Sequence, residues 1–339
     1  MAGNPKDDKR SARAERRARE RAAEEARRAQ EAKDRRTQTI IGIIVTVIVV
    51  ALIAVACVMV YRSTHKSSET SSAATSVTKE EAYKELQAVT TKPSRADEQG
   101  GILVSKDGYG KAVKDVPTIA MYMDFMCPGC GSMHRNIDAA IVKMVDAGQV
   151  NFELHFMSFM DSLSTDEYSS RAANMALTIA EKDDDPDHLL KFLENMYAED
   201  FQPEEGSGYK SVSDQEIRQQ ATKAGVSAEV ANEGVTRQYD DWLSAINTYT
   251  PKRSELWNVS GSLKGSMSTP TITINGYFWN YNDSSVSSKS TMVEALCDAI
   301  GLKQSDIGKE GVLPSIGATG KPLIGAVDEE EQKNSGSSN

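Results

Sequence analysis

Hydrophobic and polar positions follow two different periods in the middle of the chain, between about residues 97 and 303. Short apolar runs at Gly101–Val104 and Pro117–Phe125 have the length of buried strands, and Val150–Phe156 alternates apolar and polar residues as a strand does. After Cys130 the apolar residues recur at helical spacing. Residues from about 166 to 247 predict mostly helices, at Tyr168–Glu181, Asp187–Tyr197, Ser213–Ala224 and Ser227–Tyr239.

The end of this region predicts a β-hairpin and a final helix. Thr271–Ile274 and Tyr277–Tyr281 flank Asn275-Gly276, a dipeptide typical of two-residue hairpin turns. Ser290–Ile300 then returns to helical spacing. The order strand, strand, helix, strand, helical block, hairpin and helix predicts an α/β fold, with a sheet between helical layers and a helical insertion between its two halves.

A stretch of 21 residues without any charge, Ile40–Val60, precedes this region. As a helix rising about 1.5 Å per residue, it would cross a hydrocarbon core of about 30 Å, and it lacks the polar face expected of a buried helix in a globular domain. Residues 1–36 hold 13 basic and 8 acidic residues (net +5), whereas the remaining 303 residues hold 26 and 41 (net −15). The positive-inside rule therefore predicts a cytoplasmic N-terminus and places everything after Arg62 outside.

Two cleavage hypotheses compete with an uncleaved anchor. Ala54-Val55-Ala56 would serve as a signal-peptide cleavage site, but the basic segment before it is far longer than that of a signal peptide. Lipoprotein processing at Cys57 is disfavoured because Val58, Met59 and Val60 continue the apolar run. The basic segment is interpreted as a solvated tail that sets the topology, with binding to anionic lipid head groups as the alternative.

The overall composition excludes several classes of protein. Hydrophobic residues make up 39% of the chain and charged residues 26%, which is ordinary for a globular protein and excludes collagen, a polytopic membrane protein and a wholly disordered chain. Four cysteines in 339 residues exclude a disulfide-dense scaffold. The formal net charge of −10 argues against a nucleic-acid partner.

The motif Cys127-Pro128-Gly129-Cys130 lies where a predicted buried strand ends and a helix begins. Unpaired N–H groups at a helix N-terminus favour an anion, so the thiolate of Cys127 is expected to be stabilised and its pKa lowered. Cys130 lies one helical turn further on, within reach of a mixed disulfide at Cys127. Pro128 suits the first helical turn, and Gly129 leaves space beside the sulfur. The pattern predicts a redox-active dithiol.

Three other interpretations of the motif compete with a redox-active dithiol. A structural disulfide is possible, but it would close a very short loop and restrain little of the unfolded chain. A zinc site could use Cys127, Cys130 and His134, but no fourth ligand follows at a useful spacing, so no metal is predicted. A chance occurrence is the third alternative.

The chain resembles the DsbA-like thiol–disulfide oxidoreductases, and more narrowly the membrane-anchored members of Gram-positive bacteria. The matching motifs are Tyr122–Cys130 (YMDFMCPGC), the later Ser268-Thr269-Pro270-Thr271 and the Asn275-Gly276 turn. The resemblance covers about residues 110–300. It implies a thioredoxin-like fold whose inserted helical domain is the helical block.

The resemblance also implies roles for individual residues. Cys127 would be the nucleophilic cysteine and Cys130 the resolving one. Pro270 would be a cis-proline packed beside the active-site disulfide. Thr269 would offer its backbone to an extended substrate chain, in the manner of strand addition.

One position departs from the family pattern. Thioredoxin and the best-known DsbA proteins carry a buried acid six residues before the first cysteine, where this chain has Met121. Asp124 is the nearest acid, and the sequence leaves open whether it accepts a proton from Cys130 or caps the helix. His134, on the helix after the motif, is expected to face solvent or to tune the thiolate. Cys297 is expected to be buried and inert on the last helix.

The function that these features predict is disulfide donation to exported proteins. A substrate thiolate would attack the Cys127–Cys130 disulfide and form a mixed disulfide at Cys127, which a second substrate thiol would resolve. No cofactor is needed beyond the disulfide itself. The resemblance implies a membrane reoxidase of the DsbB or vitamin K epoxide reductase-like kind. The alternatives are a disulfide reductase or isomerase, and a non-catalytic tethered module that binds proteins.

The predicted domain organisation follows the chain from the cytoplasm outwards. Its segments are a basic cytoplasmic tail (1–39), a transmembrane helix (40–60), an extracytoplasmic linker (61–96), the first part of a thioredoxin-like domain (97–165), an inserted helical domain (166–250), the second part of the thioredoxin-like domain (251–303) and a C-terminal tail (304–339).

Overall fold

The computed structural model describes residues 77–327. The predicted cytoplasmic tail, the predicted transmembrane helix at Ile40–Val60 and the last twelve residues lie outside the described residues. Between residues 77 and 327, none of the helices has both the length and the apolar composition needed to cross a membrane.

A single six-stranded sheet forms the centre of the described part. Its order is β2-β1-β4-β3-β5-β6, and all neighbours pair antiparallel except β3 and β4, which run parallel. The strands are β1 (Ile102–Ser105), β2 (Gly108–Tyr109), β3 (Thr118–Asp124), β4 (Asn151–Met157), β5 (Thr271–Ile274) and β6 (Tyr277–Phe278).

Nine α-helices accompany the sheet between residues 77 and 327. They are α1 (Lys79–Ala88), α2 (Pro128–Asp146), α3 (Tyr168–Lys182), α4 (Pro186–Met196), α5 (Asp214–Lys223), α6 (Ala228–Glu233), α7 (Asp240–Tyr249), α8 (Ser284–Ser287) and α9 (Met292–Ile300). Helices α3 to α7 lie between β4 and β5 in the chain. This order confirms the predicted α/β arrangement with a helical insertion.

Strand β3 is the central strand that leads into the CPGC motif. Ile119, Met121 and Met123 are fully buried in the main hydrophobic core. On the opposite face, Ala120 and Tyr122 pack in a second, smaller apolar cluster. Neighbours on both sides and cover on both faces fix the end of β3, and therefore the start of α2, in a rigid setting.

The predicted helix over Ser227–Tyr239 is wrong in length. Ser227 accepts a hydrogen bond from Val230 N–H and caps α6, but that helix ends after Glu233. Gly234 follows, where a Cβ atom would overlap the side chain of Met175 on α3. Close packing of the two helices therefore needs glycine here, and the chain turns before a separate helix, α7.

The chain before β1 is more ordered than a linker. Thr78 and Glu81 form a capping box, in which each side chain accepts the other residue's backbone N–H. Ala82 and Leu86 are buried in the main core. The predicted linker over 61–96 therefore holds a packed helix in its last part, because an apolar stripe on α1 covers part of the helical insertion.

The chain after α9 also differs from the surface tail that was expected from residue 304. Gln149 donates hydrogen bonds to the carbonyls of Asp306 (2.8 Å) and Val312 (2.8 Å) and accepts one from Gly308 N–H (2.9 Å). Asn275 donates to the carbonyls of Gly317 and Gly320. Residues 304–327 are therefore fastened to the domain by the side chains of Gln149 and Asn275, and Ile307, Ile316 and Ile324 of this segment pack against the main core.

Candidate active site

Cys127 is the N-cap residue of α2, and Pro128 occupies the first helical turn. The Cys127 Sγ atom accepts a hydrogen bond from Cys130 N–H at 3.3 Å. The same thiol donates to the carbonyl of Thr269 at 3.3 Å. Cys127, Cys130 and Cys297 are all free thiols in this structure. The sulfur of Cys127 thus takes the place of the oxygen atom that usually caps a helix.

The two cysteines of the motif differ in acidity. Hydrogen bonding from the side chain of Cys130, and then from the side chain of Thr269 and from Cys130 N–H, lowers the pKa of Cys127, although burial opposes this shift. Burial, and then the interaction with Cys127, raise the pKa of Cys130 well above its ordinary value. The pair therefore consists of a more acidic thiol at Cys127, whose thiolate is stabilised, and a buried thiol at Cys130 that resists ionisation.

Pro270 packs against the motif from the start of β5. The Thr269–Pro270 peptide bond is cis, the conformation that the resemblance implies. A Cβ atom on Gly129 would lie 3.1 Å from Cδ of Pro270 and 3.7 Å from Cys127 Sγ. The hydroxyl of Tyr281 donates to the Pro270 carbonyl at 2.8 Å. Glycine at position 129 is therefore what allows this loop to approach the sulfur so closely.

Asp124 is fully buried at the end of β3. Its carboxylate accepts hydrogen bonds from the Ser169 hydroxyl (2.6 Å), from Met126 N–H (2.9 Å) and from Met160 N–H (3.0 Å). Burial raises the pKa of Asp124 to about 6, against the effect of these three donors. The atom that caps α2 is the sulfur of Cys127, so the side chain of Asp124 is not the cap of that helix.

His134 does not face solvent, and that expectation is wrong. Its side chain is 1% exposed, because Tyr197 at the end of α4 covers it with a stacked ring 4.1 Å away. Nδ1 lies 2.9 Å from a carboxylate oxygen of Asp138. Nε2 has no hydrogen-bond partner among residues 77–327, and neither has the hydroxyl of Tyr197.

Gln202 contacts the active site and was not found from the sequence. It follows α4, more than 70 residues after the motif, and its Nε2 donates to the carbonyls of Phe125 (3.1 Å) and Cys127 (3.0 Å). A glutamine in a polar loop carries no sequence signal for such a role. Only the folding of the insertion onto the start of α2 brings the two together.

Other candidates are placed as follows. Cys297 is 2% exposed, and burial raises its pKa to about 11, in line with an inert buried thiol. Across residues 77–327, no three side chains from His, Cys, Asp or Glu are grouped so that they could hold a metal ion.

Known proteins resemble this chain over part of its length. A family model described as thioredoxin matches residues 112–294. The serine/threonine-protein kinase PknE of Mycobacterium tuberculosis is 31% identical over 91 residues, which make up 26% of this chain and 16% of the kinase, so only a small part of that relative is spanned.

Several solved structures are similar to this chain, one of them described as a thiol-disulfide oxidoreductase, MdbA. Reduced DsbA of Mycobacterium tuberculosis has a TM-score of 0.43 and 24% identity, covering 56% of this chain and 87% of that chain. MdbA of Corynebacterium matruchotii has a TM-score of 0.44 and 20% identity, covering 62% of this chain and 97% of that chain. Oxidised BdbD of Bacillus subtilis has a TM-score of 0.40 and 17% identity, covering 60% of this chain and 91% of that chain.

The family match begins shortly before β3 and ends within α9. It therefore includes the CPGC motif, the helical insertion and the cis-proline loop. Since it spans more than half of the sequence, the chain belongs to the thioredoxin family.

Proposed function

We propose that this protein is an extracytoplasmic thiol–disulfide oxidoreductase that introduces disulfide bonds into exported proteins. The observation that carries the proposal is the unequal pair of cysteines at the start of α2. Cys127 is a helix-capping sulfur with a lowered pKa, whereas the pKa of Cys130 is raised by burial. Such a pair favours the reduced form with a thiolate at Cys127, so its disulfide is a strong oxidant.

The reaction transfers two electrons from substrate to enzyme. A substrate thiolate attacks Cys127 Sγ, the Cys127–Cys130 bond breaks, and Cys130 leaves with the electron pair and takes up a proton. A second substrate thiolate then attacks the substrate sulfur of the mixed disulfide. The substrate disulfide forms, and Cys127 leaves as its stabilised thiolate.

Thr269 and Pro270 lie where the substrate must bind. The carbonyl of Thr269 already contacts Cys127 Sγ, so a peptide that extends along this loop would have its own sulfur beside Cys127. Backbone pairing to Thr269 would make recognition independent of the substrate's side chains, which suits an enzyme that acts on many reduced or unfolded exported chains.

Asp124 is proposed as the base that serves Cys130. During reoxidation Cys130 must lose its proton before it attacks a mixed disulfide at Cys127. Asp124 is buried and interacts electrostatically with Cys130, and its pKa of about 6 leaves it a carboxylate at neutral pH. It would supply the acid that is missing at Met121.

The proposed location follows from the sequence pattern. Ile40–Val60 would anchor the protein in the cell membrane by one helix, with residues 1–39 in the cytoplasm and the thioredoxin-like domain outside. Electrons received from substrates would pass to a membrane reoxidase of the DsbB or vitamin K epoxide reductase-like kind. The redox-active Cys127–Cys130 disulfide is the only electron carrier that this scheme requires of the protein.

Two measurements on the full-length chain in detergent test the proposal. One is the reduction potential of Cys127–Cys130 in glutathione buffers, and the other is the rate at which the oxidised protein forms a disulfide in a reduced, unfolded protein with two thiols. We expect a Cys127 pKa well below 7 and a potential near about −120 mV. A pKa near about 8.5 with a potential below about −270 mV would instead make the protein a reductase.

A variant separates an enzyme from a binding module. In Cys130→Ala, the Cys127 thiolate should attack a test protein whose single cysteine is held in a mixed disulfide with a small thiol. The small thiol leaves, and the new mixed disulfide at Cys127 has no internal resolving thiol, so it should accumulate as a covalent complex that reducing agents release. A module that only holds proteins would capture the same chains without a covalent bond, and that outcome would refute the proposed activity.

A further inference from the structure

We propose that Gln202 is a positioning residue that sets the reactivity of Cys127 from the helical insertion. The inference rests on the proposed disulfide exchange at Cys127. Gln202 contacts the motif directly. Its carboxamide donates to the backbone on both sides of Met126, at Phe125 O (3.1 Å) and at Cys127 O (3.0 Å).

The carbonyl of Cys127 accepts a second hydrogen bond. This bond is the first of α2 and comes from Gly131 N–H at 3.1 Å. Gln202 therefore holds the turn from β3 into α2 at the point where the helix starts. The geometry of that turn determines whether Cys127 Sγ can reach its two partners, Cys130 N–H and the Thr269 carbonyl, each at 3.3 Å.

Glycine at position 131, in the first turn of α2, leaves the space that the Gln202 carboxamide occupies. A Cβ atom on Gly131 would overlap Oε1 of Gln202 and would lie 2.8 Å from Nη1 of Arg135. Arg135 Nη1 donates to Gln202 Oε1 at 3.3 Å and to the Tyr197 carbonyl at 2.7 Å. Oε1 is thus oriented by an arginine of α2, which leaves the amide N–H groups pointing at the motif.

The expected chemical effect follows from these contacts. Without Gln202 the turn at Phe125–Cys127 loses two donors, the start of α2 frays, and the hydrogen bonds to the sulfur weaken. The thiolate of Cys127 is then less stabilised, so its pKa rises and the disulfide becomes a weaker oxidant. A role confined to stability would lower the unfolding midpoint without changing either property.

Gln149 provides a matched control. It is also a buried glutamine whose Nε2 donates to backbone carbonyls, at Asp306 and Val312. These contacts lie in the C-terminal segment rather than at the motif. Gln149→Ala therefore removes the same kind of hydrogen bond from the same fold without touching α2.

The experiment compares Cys127 pKa values in the full-length chain in detergent. The pH dependence of iodoacetamide alkylation is followed by mass spectrometry of the peptide that contains Cys127, which separates this thiol from Cys57 and Cys297. We expect Gln202→Ala to raise the pKa of Cys127 by about half a unit. The matching change in the glutathione equilibrium is about threefold, or about 14 mV. Gln149→Ala should change neither.

A double-mutant cycle sharpens the test. Gly131→Ala displaces the carboxamide, so alone it should raise the Cys127 pKa as Gln202→Ala does, and in the Gln202→Ala background it should add nothing. Equal pKa values in wild type and Gln202→Ala would overturn the proposal. The comparison of Cys127 pKa values needs no substrate and no turnover. If the wild type failed to oxidise proteins, the proposed function would be refuted, but the effect of Gln202 on the Cys127 pKa would still be tested.

Discussion

Buried polar side chains lie at both ends of the parallel strands β3 and β4, but the two ends differ in whether those side chains have hydrogen-bond partners. At the amino ends, Gln149 and Asn275 use their amide groups on the backbone of residues 304–327. At the carboxyl ends, the hydroxyl of Tyr197 and Nε2 of His134 are buried without a partner among residues 77–327.

The titratable groups follow the same division. Cys127, Cys130 and Asp124 all lie at or just after the carboxyl end of β3, and all three have shifted pKa values. Amide side chains such as Gln149 and Asn275 have no proton to exchange, so they take no direct part in proton transfer. Buried acids and thiols that are incompletely compensated remain poised between two protonation states, and this is what chemistry requires.

The largest effect that would test this division is expected at Cys127. Cys127→Ser removes the sulfur that the substrate thiolate attacks, so disulfide formation in a reduced protein should fall by about 10³-fold or more, to the uncatalysed rate. Cys297→Ser is the matched control, since that thiol is buried on α9 and its pKa is raised. Substantial activity in Cys127→Ser would place the reaction elsewhere.

Asp124 gives the next largest effect, through the pH dependence of stability. The pKa of Asp124 is about 6 in the folded protein, against 3.8 for an unperturbed aspartate. The folded state therefore binds more protons than the unfolded state between these pH values, and stability falls as pH rises from about 4 to about 6. A shift of about two units corresponds to about 3 kcal/mol.

Asp124→Asn should abolish this dependence. Urea unfolding of both chains at pH 4, 5, 6 and 7 would show the wild type losing its advantage over the variant by about 3 kcal/mol across the range. In the same variant, reoxidation through Cys130 should slow about tenfold and lose its fall below pH 6. A constant difference between the two chains at all four pH values would show that Asp124 does not titrate there.

Much of this site was predictable because its signals are local. A strand followed by CPGC, a late Thr-Pro and an Asn-Gly turn each depend on a few neighbouring residues, and the element order followed from periodicity. Gln202 and the burial of His134 were not predictable, because both depend on how α4 and its loop pack against α2. The C-terminal segment was missed for a similar reason, since Gln149 is far from it in sequence.

A mutation at the amino ends of β3 and β4 should change the free energy of unfolding and leave the pKa of Cys127 unchanged. Gln149→Ala removes the donor of three hydrogen bonds to the carbonyls of Asp306, Lys309 and Val312, which should lower the free energy of unfolding by about 2 kcal/mol. Urea unfolding measures this loss, and alkylation of Cys127 in the same samples should give an unchanged pKa. A parallel change in the pKa would mean that the two ends of the sheet are coupled.

The smallest effect is expected at Tyr281, where a substitution should change both stability and reaction rate. Its hydroxyl donates to the Pro270 carbonyl at 2.8 Å, so it supports the active-site end through the cis-proline loop. Tyr281→Phe removes that hydrogen bond while keeping the ring against Trp279, and it should lower the free energy of unfolding by about 1 kcal/mol. Because the neighbouring Thr269 carbonyl contacts Cys127 Sγ, a looser loop should also slow formation of the mixed disulfide about twofold. Stopped-flow measurement of that step, beside the unfolding curve, would show whether a side chain at this end of the sheet can act on stability without acting on the reaction.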